Sequence, residues 1–143
     1  MARTLLAEVV TPDGILYANE VEMVVVTTTA GELGILPMHA PLITTLAPGE
    51  ARLKFGPNPG DWEWFAIGGG FLQVREDRAV IISKRAIAVS GIDAARAEAA
   101  RDRLAAELAE LPAEAEEERA IAEMDRAWYE LQLKQAERRR ASK

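Results

Sequence analysis

The sequence predicts an α+β protein in which an all-β half, either a sandwich or a barrel, precedes a helical hairpin. Up to about Val89, short β-rich runs alternate with turn residues, which is typical of an antiparallel sheet. After Ser90-Gly91 the β-branched residues become scarce and the apolar period changes from two towards 3.6. Pro112 then interrupts the helical half, because proline cannot donate the next intrahelical hydrogen bond. We therefore predict a β domain over residues 1–90 and a helical domain over residues 91–143.

Eight runs in the first half have the composition of β-strands. They are separated by turn sequences such as Pro12-Asp13-Gly14 and Pro48-Gly49, where the chain must reverse. The Gly68-Gly69-Gly70 run is predicted to be a bulge or a tight strand connection, because no Lys-Ser or Lys-Thr follows it as a phosphate-binding loop requires. The predicted strands are residues 5–10, 15–17, 21–27, 43–46, 51–55, 62–67, 71–75 and 79–83.

Two helices are predicted in the second half. Asp93 is expected to cap the first helix, because its carboxylate can accept the free amide hydrogens of the first turn. One apolar stripe of this helix consists of Leu104, Leu108 and Leu111. The second helix is expected to present a coiled-coil-like seam at spacings of three and four. The predicted seam residues are Ile121, Met124, Trp128 and Leu131.

The first predicted helix is rich in alanine, with Ala94, Ala95, Ala97, Ala99 and Ala100 in its opening turns. An alanine-lined contact buries little apolar area, and burial contributes only about 25 cal/mol per Å². We therefore expect the hairpin to be a movable arm.

Composition and charge restrict the class of function. The 143 residues carry a formal net charge of −6, which argues against nucleic acid as a partner because phosphate binding needs a basic face. No cysteine is present, so disulfides and thiol chemistry are excluded, and a reducing compartment such as the cytoplasm fits. No run approaches the roughly 20 apolar residues that span a bilayer. Membrane association is therefore expected only through partner proteins.

The sequence offers no active site. His39 is the only histidine, so a catalytic triad or a histidine metal site would depend on it alone. A loop residue bonded to a backbone carbonyl, or an interface contact, explains it more simply. The acidic run from Glu114 to Glu118 is expected to be a solvated helix start. We predict no catalytic residue, no metal site and no required cofactor.

Five motifs of the first half occur in a specific order and spacing. They are Val10-Thr11-Pro12-Asp13-Gly14, Val21-Glu22-Met23-Val24, Gly31-Glu32-Leu33-Gly34-Ile35-Leu36-Pro37, His39-Ala40-Pro41-Leu42 and Gly69-Gly70-Phe71-Leu72-Gln73-Val74-Arg75. Together they resemble the epsilon subunit of bacterial F-type ATP synthases. The resemblance implies an N-terminal β-sandwich of ten strands, followed by an antiparallel two-helix hairpin. Met38 stands where the family usually has glycine, so the backbone shape of that loop is not carried over.

The resemblance also implies partners and a place in the cell. In the family the sandwich binds the γ subunit and the c-ring, and the helices extend into the catalytic head to inhibit ATP hydrolysis. Glu32 and His39 correspond to rotor contacts, and the basic residues Arg138, Arg139 and Arg140 correspond to a segment that meets acidic loops of the catalytic subunits. These arginines also complement the negative end of a helix dipole. The implied location is peripheral, at the cytoplasmic face of the cell membrane.

ATP is a candidate regulatory ligand by the same resemblance, since some bacterial relatives bind it between the helices. The matching residues here are Asp93, Arg96, Arg103 and Arg126. Ile87 replaces an acid and Glu130 replaces a second arginine of the binding relatives. A carboxylate facing a triphosphate is repulsive, so we predict weak or absent ATP binding.

The leading interpretation is therefore a non-enzymatic rotor subunit that couples proton flow to ATP synthesis and carries an inhibitory arm. One alternative is a free-standing adaptor whose sandwich binds a soluble partner. Another is a small hydrolase with paired carboxylates, which predicts turnover by the isolated chain.

Overall fold

The computed structural model describes residues 3–141, and the chain divides into two compact units between Ala88 and Val89. The first unit is a β-structure and the second contains two helices, so the predicted α+β class is confirmed. The strands are β1 (Leu5–Thr11), β2 (Gly14–Val21), β3 (Met23–Thr28), β4 (Gly31–Ile35), β5 (Leu42–Lys54), β6 (Trp62–Arg75), β7 (Arg78–Ile82) and β8 (Ala86–Ala88). A 3-10 turn at Val89–Gly91 is followed by α1 (Ala94–Glu110) and α2 (Glu116–Ala141).

The strands form a sandwich because the long strands β5 and β6, which pair with each other along almost their whole length, take part in both layers. The strand order is β2-β1-β7-β6-β5-β3-β4, and β8 pairs with β6. The first part of β6 pairs with β8, whereas its last part pairs with β7. Gly69 and Gly70 have positive φ where β6 bends between these two parts. The glycine run, for which a bulge or a tight strand connection is predicted, is therefore a bend inside one continuous strand.

The expected count of ten strands is wrong, because the described chain contains eight. Predicted runs 43–46 and 51–55 are one strand, as are runs 62–67 and 71–75. Pairing continues between them through Pro48 and Gly68, so Pro48-Gly49, whose composition predicts a turn, lies inside a paired strand. Two strands, β4 and β8, were missed: β4 contains two glycines and β8 has only three residues. Pairing with β3 and β6 stabilises them, and local composition does not reveal it.

One continuous apolar core lies inside the sandwich. It takes buried side chains from every strand from β1 to β7, including Leu5, Val24, Leu53, Phe65 and Leu72. Tyr17 packs edge-on against Phe65, with the ring centroids 5.3 Å apart. Burial raises the pKa of the Tyr17 hydroxyl above its ordinary value, while a hydrogen bond from Asn19 acts in the opposite direction. Because this core draws on all seven strands, it stabilises the first unit as one body.

The second unit is an antiparallel helical hairpin whose ends follow from local chemistry. The Asp93 carboxylate accepts a hydrogen bond from the backbone N–H of Arg96 at 3.1 Å, which confirms the predicted N-cap. Arg119 donates to the carbonyl oxygens of Leu108 and Leu111 at 3.1 and 3.0 Å. It thereby satisfies two carbonyls that the end of α1 leaves without intrahelical partners.

The predicted seam on α2 is wrong in its first half, whereas Trp128 and Leu131 are half-buried. Ile121 and Met124 are 61% and 69% exposed, and the residue of α2 that is buried against Leu104 and Leu108 is Ala122. Moving one position along a helix rotates the side chain by 100°. The largest apolar side chains of α2 predict the seam, but a small alanine allows α2 to approach the leucine stripe of α1 more closely.

No helix of the described chain combines the length and apolar character that a membrane crossing needs.

Candidate partner-binding surfaces

An exposed apolar row crosses four strands on the outer face of the sandwich and ends at Thr45 of β5. Its members are cross-strand neighbours: Ile15 pairs with Val10, Val10 with Ile82, Ile82 with Phe71, and Phe71 with Thr45. Ile15, Ile82 and Phe71 are 63%, 44% and 54% exposed. We call Ile15, Val10, Ile82 and Phe71 the apolar row.

The next row on the same face is mixed in character. Val80 lies between Glu8 and Gln73, and Ile43, which is 73% exposed, completes this row on β5. Glu8 is almost fully buried under Arg78, whose Nε donates to the Glu8 carboxylate at 2.6 Å. An apolar surface with a polar rim of this kind is typical of a protein-binding site.

This surface was not predicted, although the sequence carries a signal for it. In a half-buried strand, apolar residues alternate with polar ones. Phe71-Leu72 in β6 and Ile81-Ile82 in β7 are instead apolar at both phases. Leu72 and Ile81 are the buried members of these pairs. Their neighbours Phe71 and Ile82 therefore face outward, as two consecutive apolar residues in a strand indicate.

The loop that follows β4 is a tight turn over residues 36–39. The His39 N–H donates to the Leu36 carbonyl oxygen at 3.2 Å, Pro37 is the second residue, and Met38 has φ of +69°. A positive φ at the third residue identifies a type II turn. Met38 thus adopts the left-handed conformation that glycine favours. The imidazole of His39 donates through Nδ1 to the Ala40 carbonyl oxygen at 2.7 Å, since a carbonyl can only accept.

Glu32 belongs to a different set of contacts from His39. On β4, its carboxylate lies 3.3 Å from a guanidinium nitrogen of Arg52. The Arg52 guanidinium also lies over the rings of Trp62 and Trp64, at 5.6 and 5.7 Å from their centroids. Glu32 is therefore presented from a rigid strand as part of a charged and aromatic cluster. Its role as a rotor contact remains a prediction.

Three of the four side chains of the predicted ATP site, those of Asp93, Arg103 and Arg126, make local contacts. Asp93 caps α1 through the Arg96 backbone. Arg103 lies 3.9 Å from Glu107, and Arg126 lies 3.5 Å from Glu130, each one helical turn away. Such exposed pairs contribute about 0–1 kcal/mol each, so they compete only weakly with a stronger anion. A nucleotide would nevertheless have to displace both pairs.

The groove between α1 and α2 is acidic. It has a volume of about 590 Å³, and Glu107, Glu110, Glu118 and Asp125 line it together with apolar side chains. None of the four predicted ATP residues lines it. This arrangement of charge is unfavourable to a triphosphate, and weak or absent ATP binding stays a prediction.

Arg138, Arg139 and Arg140 lie in the last turn of α2, and Glu116, Glu117 and Glu118 lie in its first turn. Both groups complement the helix dipole, which is negative at the C-terminal end. The helix dipole accounts for why arginines suit this position, and their role as a contact with the catalytic subunits stays a prediction. Among residues 3–141, no cluster of three or more His, Asp and Glu side chains is placed to hold a metal ion.

Comparison with known proteins identifies the family. Residues 4–89 match the family described as ATP synthase, Delta/Epsilon chain, beta-sandwich domain. The ATP synthase epsilon chain of Alkalihalophilus pseudofirmus is 48% identical over 100 residues, which are 70% of this chain and 73% of that relative. This chain belongs to the bacterial ATP synthase epsilon chain family. The epsilon chain of Bacillus subtilis is 45% identical over 101 residues, 71% of this chain and 74% of the relative.

Solved structures of ATP synthases contain chains with a similar fold. A chain of the Euglena gracilis mitochondrial ATP synthase, from an OSCP/F1/c-ring structure, aligns with a TM-score of 0.69 at 21% identity and covers 90% of this chain and 78% of that one. A chain of the Tetrahymena thermophila ATP synthase central stalk and c-ring aligns with a TM-score of 0.52 at 15% identity, over 62% and 69% of the two chains. At such identities the likeness concerns the fold alone.

Proposed function

We propose that this chain is a non-catalytic subunit of the ATP synthase central stalk, peripheral to the cytoplasmic face of the cell membrane. The sandwich binds the γ subunit and the c-ring and so couples proton translocation to ATP synthesis. The helical hairpin inhibits ATP hydrolysis by contacting subunits of the catalytic head. Membership in the epsilon chain family supports this assignment.

The apolar row is the observation that carries the proposal. The core of the sandwich is already complete on the inner face, where Leu72 and Ile81 are fully buried. Phe71 and Ile82 on the outer face add nothing to that core, and their exposure is unfavourable in water. A partner that covers the apolar row removes this penalty. Torque transmission also requires a rigid attachment, which a paired sheet face supplies better than a loop.

The hairpin has the properties of a separate regulatory element. It forms its own small cluster of Leu104, Leu108 and Ala122, flanked by Leu111 and Tyr129, which is separate from the core of the sandwich. The basic last turn of α2 suits an acidic surface on the catalytic head. No cofactor is required in this proposal, and ATP is at most a weak regulatory ligand.

The non-catalytic assignment rests on how the reactive groups are engaged. His39, the single histidine, is held by its neighbour's carbonyl, and the buried carboxylate of Glu8 is held by Arg78. Neither is arranged with a nucleophile or a second acid for general acid–base chemistry.

Replacing Phe71 by glutamate tests the proposed interface. A phenylalanine side chain offers on the order of 200 Å², and Phe71 is 54% exposed, so about 100 Å² is available to a partner. Losing that burial corresponds to about 2.5 kcal/mol, or roughly 60-fold in Kd. Affinity for purified γ bound to the c-ring is measured by titration. Phe55→Glu is the matched control, since Phe55 is 44% exposed but lies outside the apolar row.

We expect Phe71→Glu to weaken rotor binding and Phe55→Glu to leave it unchanged. Equal affinities of the two variants would show that the partner does not cover the apolar row. Failure of the unmodified chain to co-purify with γ and the c-ring would favour an independent adaptor instead.

A further inference from the structure

One corner of the sandwich contains every non-glycine residue with positive φ in residues 3–141. These residues are Met38, Glu76 and Asp77, with φ of +69°, +51° and +57°. The left-handed region is sterically disfavoured for residues that carry a Cβ atom, although aspartate tolerates it better than most. Such conformations persist only where the surrounding structure enforces them, and they concentrate at functional sites.

A single carboxylate joins the two strained turns. Asp77 lies in the connection between β6 and β7, and its Oδ1 accepts a hydrogen bond of 2.5 Å from the backbone N–H of Met38. The residues are 39 positions apart in the chain. Hydrogen bonds from a backbone N–H to a carboxylate are charge-assisted and among the stronger ones in proteins.

Asp77 is itself fixed to the sheet. Its backbone carbonyl oxygen accepts from the N–H of Leu6 at 2.9 Å, and its Oδ2 lies 3.6 Å from a guanidinium nitrogen of Arg3. The carboxylate is thereby held where β6 ends and β7 begins, and its Oδ1 is directed to the turn over residues 36–39. Position 38, where the positive φ favours glycine, therefore carries a methionine, and the Asp77 carboxylate holds its backbone N–H in place.

The turn presents apolar side chains to solvent. Met38 and Leu36 are 69% and 55% exposed, and neither belongs to the core or its flanking side chains. A glycine at position 38 would fit the turn without strain but would present no side chain. A contact between the Met38 side chain and a partner would offset the strain that positive φ imposes on this residue.

We infer that Asp77 is a positioning residue that holds the turn over residues 36–39 in the left-handed geometry, so that Leu36 and Met38 form a preformed apolar contact with the γ and c-ring rotor. The identity of this partner rests on the proposed function. The partner surface must be apolar, because both protruding side chains are. Preorganisation by Asp77 lowers the entropy cost of ordering the loop on binding.

The first measurement needs no partner. Amide hydrogen exchange of Met38 is compared in the full-length chain, in Asp77→Ala and in Glu76→Ala. The two variants make the same kind of change in the same turn at similar φ, but only Asp77 bonds the Met38 N–H. We expect exchange at Met38 to accelerate about tenfold or more in Asp77→Ala and to change little in Glu76→Ala. Equal acceleration in the two variants would overturn the inference.

The second measurement is affinity for the γ and c-ring rotor. Asp77→Ala is expected to bind about tenfold more weakly, and Asp77→Asn to keep most of the affinity because an amide oxygen can also accept the bond. Met38→Gly added to Asp77→Ala should restore turn geometry, since glycine needs no support at positive φ. Binding is then recovered only in part, because the methionine contact is lost.

The outcomes separate the two proposals. Accelerated exchange with unchanged rotor affinity would show that the turn is not a contact, which overturns the inference. No recovery at all by the added glycine would indicate that Asp77 touches the rotor directly and would also overturn it. If the unmodified chain fails to bind the rotor, while exchange responds to Asp77→Ala as expected, the proposed function fails and the local role of Asp77 stands.

Discussion

The bend of β6 makes Gly70 the position where a single added methyl group should be most disruptive. Gly70 has φ of +136°, and a Cβ atom placed on it would lie 2.1 Å from the carbonyl oxygen of Ile82. Real Cβ contacts essentially never fall below 3.0 Å. In Gly70→Ala, strands β6 and β7 must therefore separate by nearly 1 Å at the Phe71–Ile82 pair. That separation strains the sheet that carries the apolar row.

The expected loss of stability has two parts. The backbone conformation costs a non-glycine residue about 1–3 kcal/mol. Weakened strand pairing adds about 1 kcal/mol for each hydrogen bond that is stretched. With one or two bonds stretched, the total is about 2–5 kcal/mol, a large share of the ~5–15 kcal/mol that stabilises a typical domain.

Urea unfolding followed by tryptophan fluorescence measures this loss. Trp62 and Trp64 lie in β6, whereas Trp128 lies in α2, so a Trp128→Phe background reports the sandwich alone. The restriction matters because two units need not unfold in one transition. Gly14→Ala is the control, since Gly14 has φ of +122° but nothing within 4 Å of an added Cβ. A loss in Gly70→Ala no larger than that in Gly14→Ala would refute the clash.

Two further predictions concern the hairpin. Removing residues 91–143 should leave rotor binding intact and raise ATP hydrolysis by the assembled enzyme. Replacing Arg138, Arg139 and Arg140 by glutamate should raise hydrolysis in part. Replacing the same three residues by lysine should leave hydrolysis unchanged. Unchanged hydrolysis in both the truncated and the glutamate variants would exclude a brake. Calorimetric titration of the isolated chain with ATP should show weak or no binding. Glu130→Arg should strengthen any binding, because it removes the carboxylate that lies 3.5 Å from Arg126. Micromolar affinity of the unmodified chain would contradict the prediction.

The fold class was predictable because it depends on local composition and period. The change from period two to 3.6 near residue 90 separates strands from helices, and capping by Asp93 needs only the first turn of α1. Strand number was not predictable in this way. Pro48 and Gly68 have the composition of turns, yet they are paired with each other inside β5 and β6. Whether such residues bend a strand or end it depends on the neighbouring strand.

The binding surfaces were only partly predictable. The motifs around Glu32 and His39 identified the family, and family membership is confirmed by the match over residues 4–89. The roles of individual side chains stay predictions. The apolar row was missed because it exists only where four strands in register place Ile15, Val10, Ile82 and Phe71 side by side.

The sequence by itself determined the family, the order of sheet and helices, and the chemistry of the helix ends. These properties depend on motifs and on contacts within a few residues along the chain. Tertiary structure decided which face of α2 packs, where Ala122 replaces the predicted seam, and which residues meet at the corner of Met38 and Asp77. That contact spans 39 positions. Its existence depends on the mutual placement of two strand connections, and the residue types at those two positions do not encode that placement.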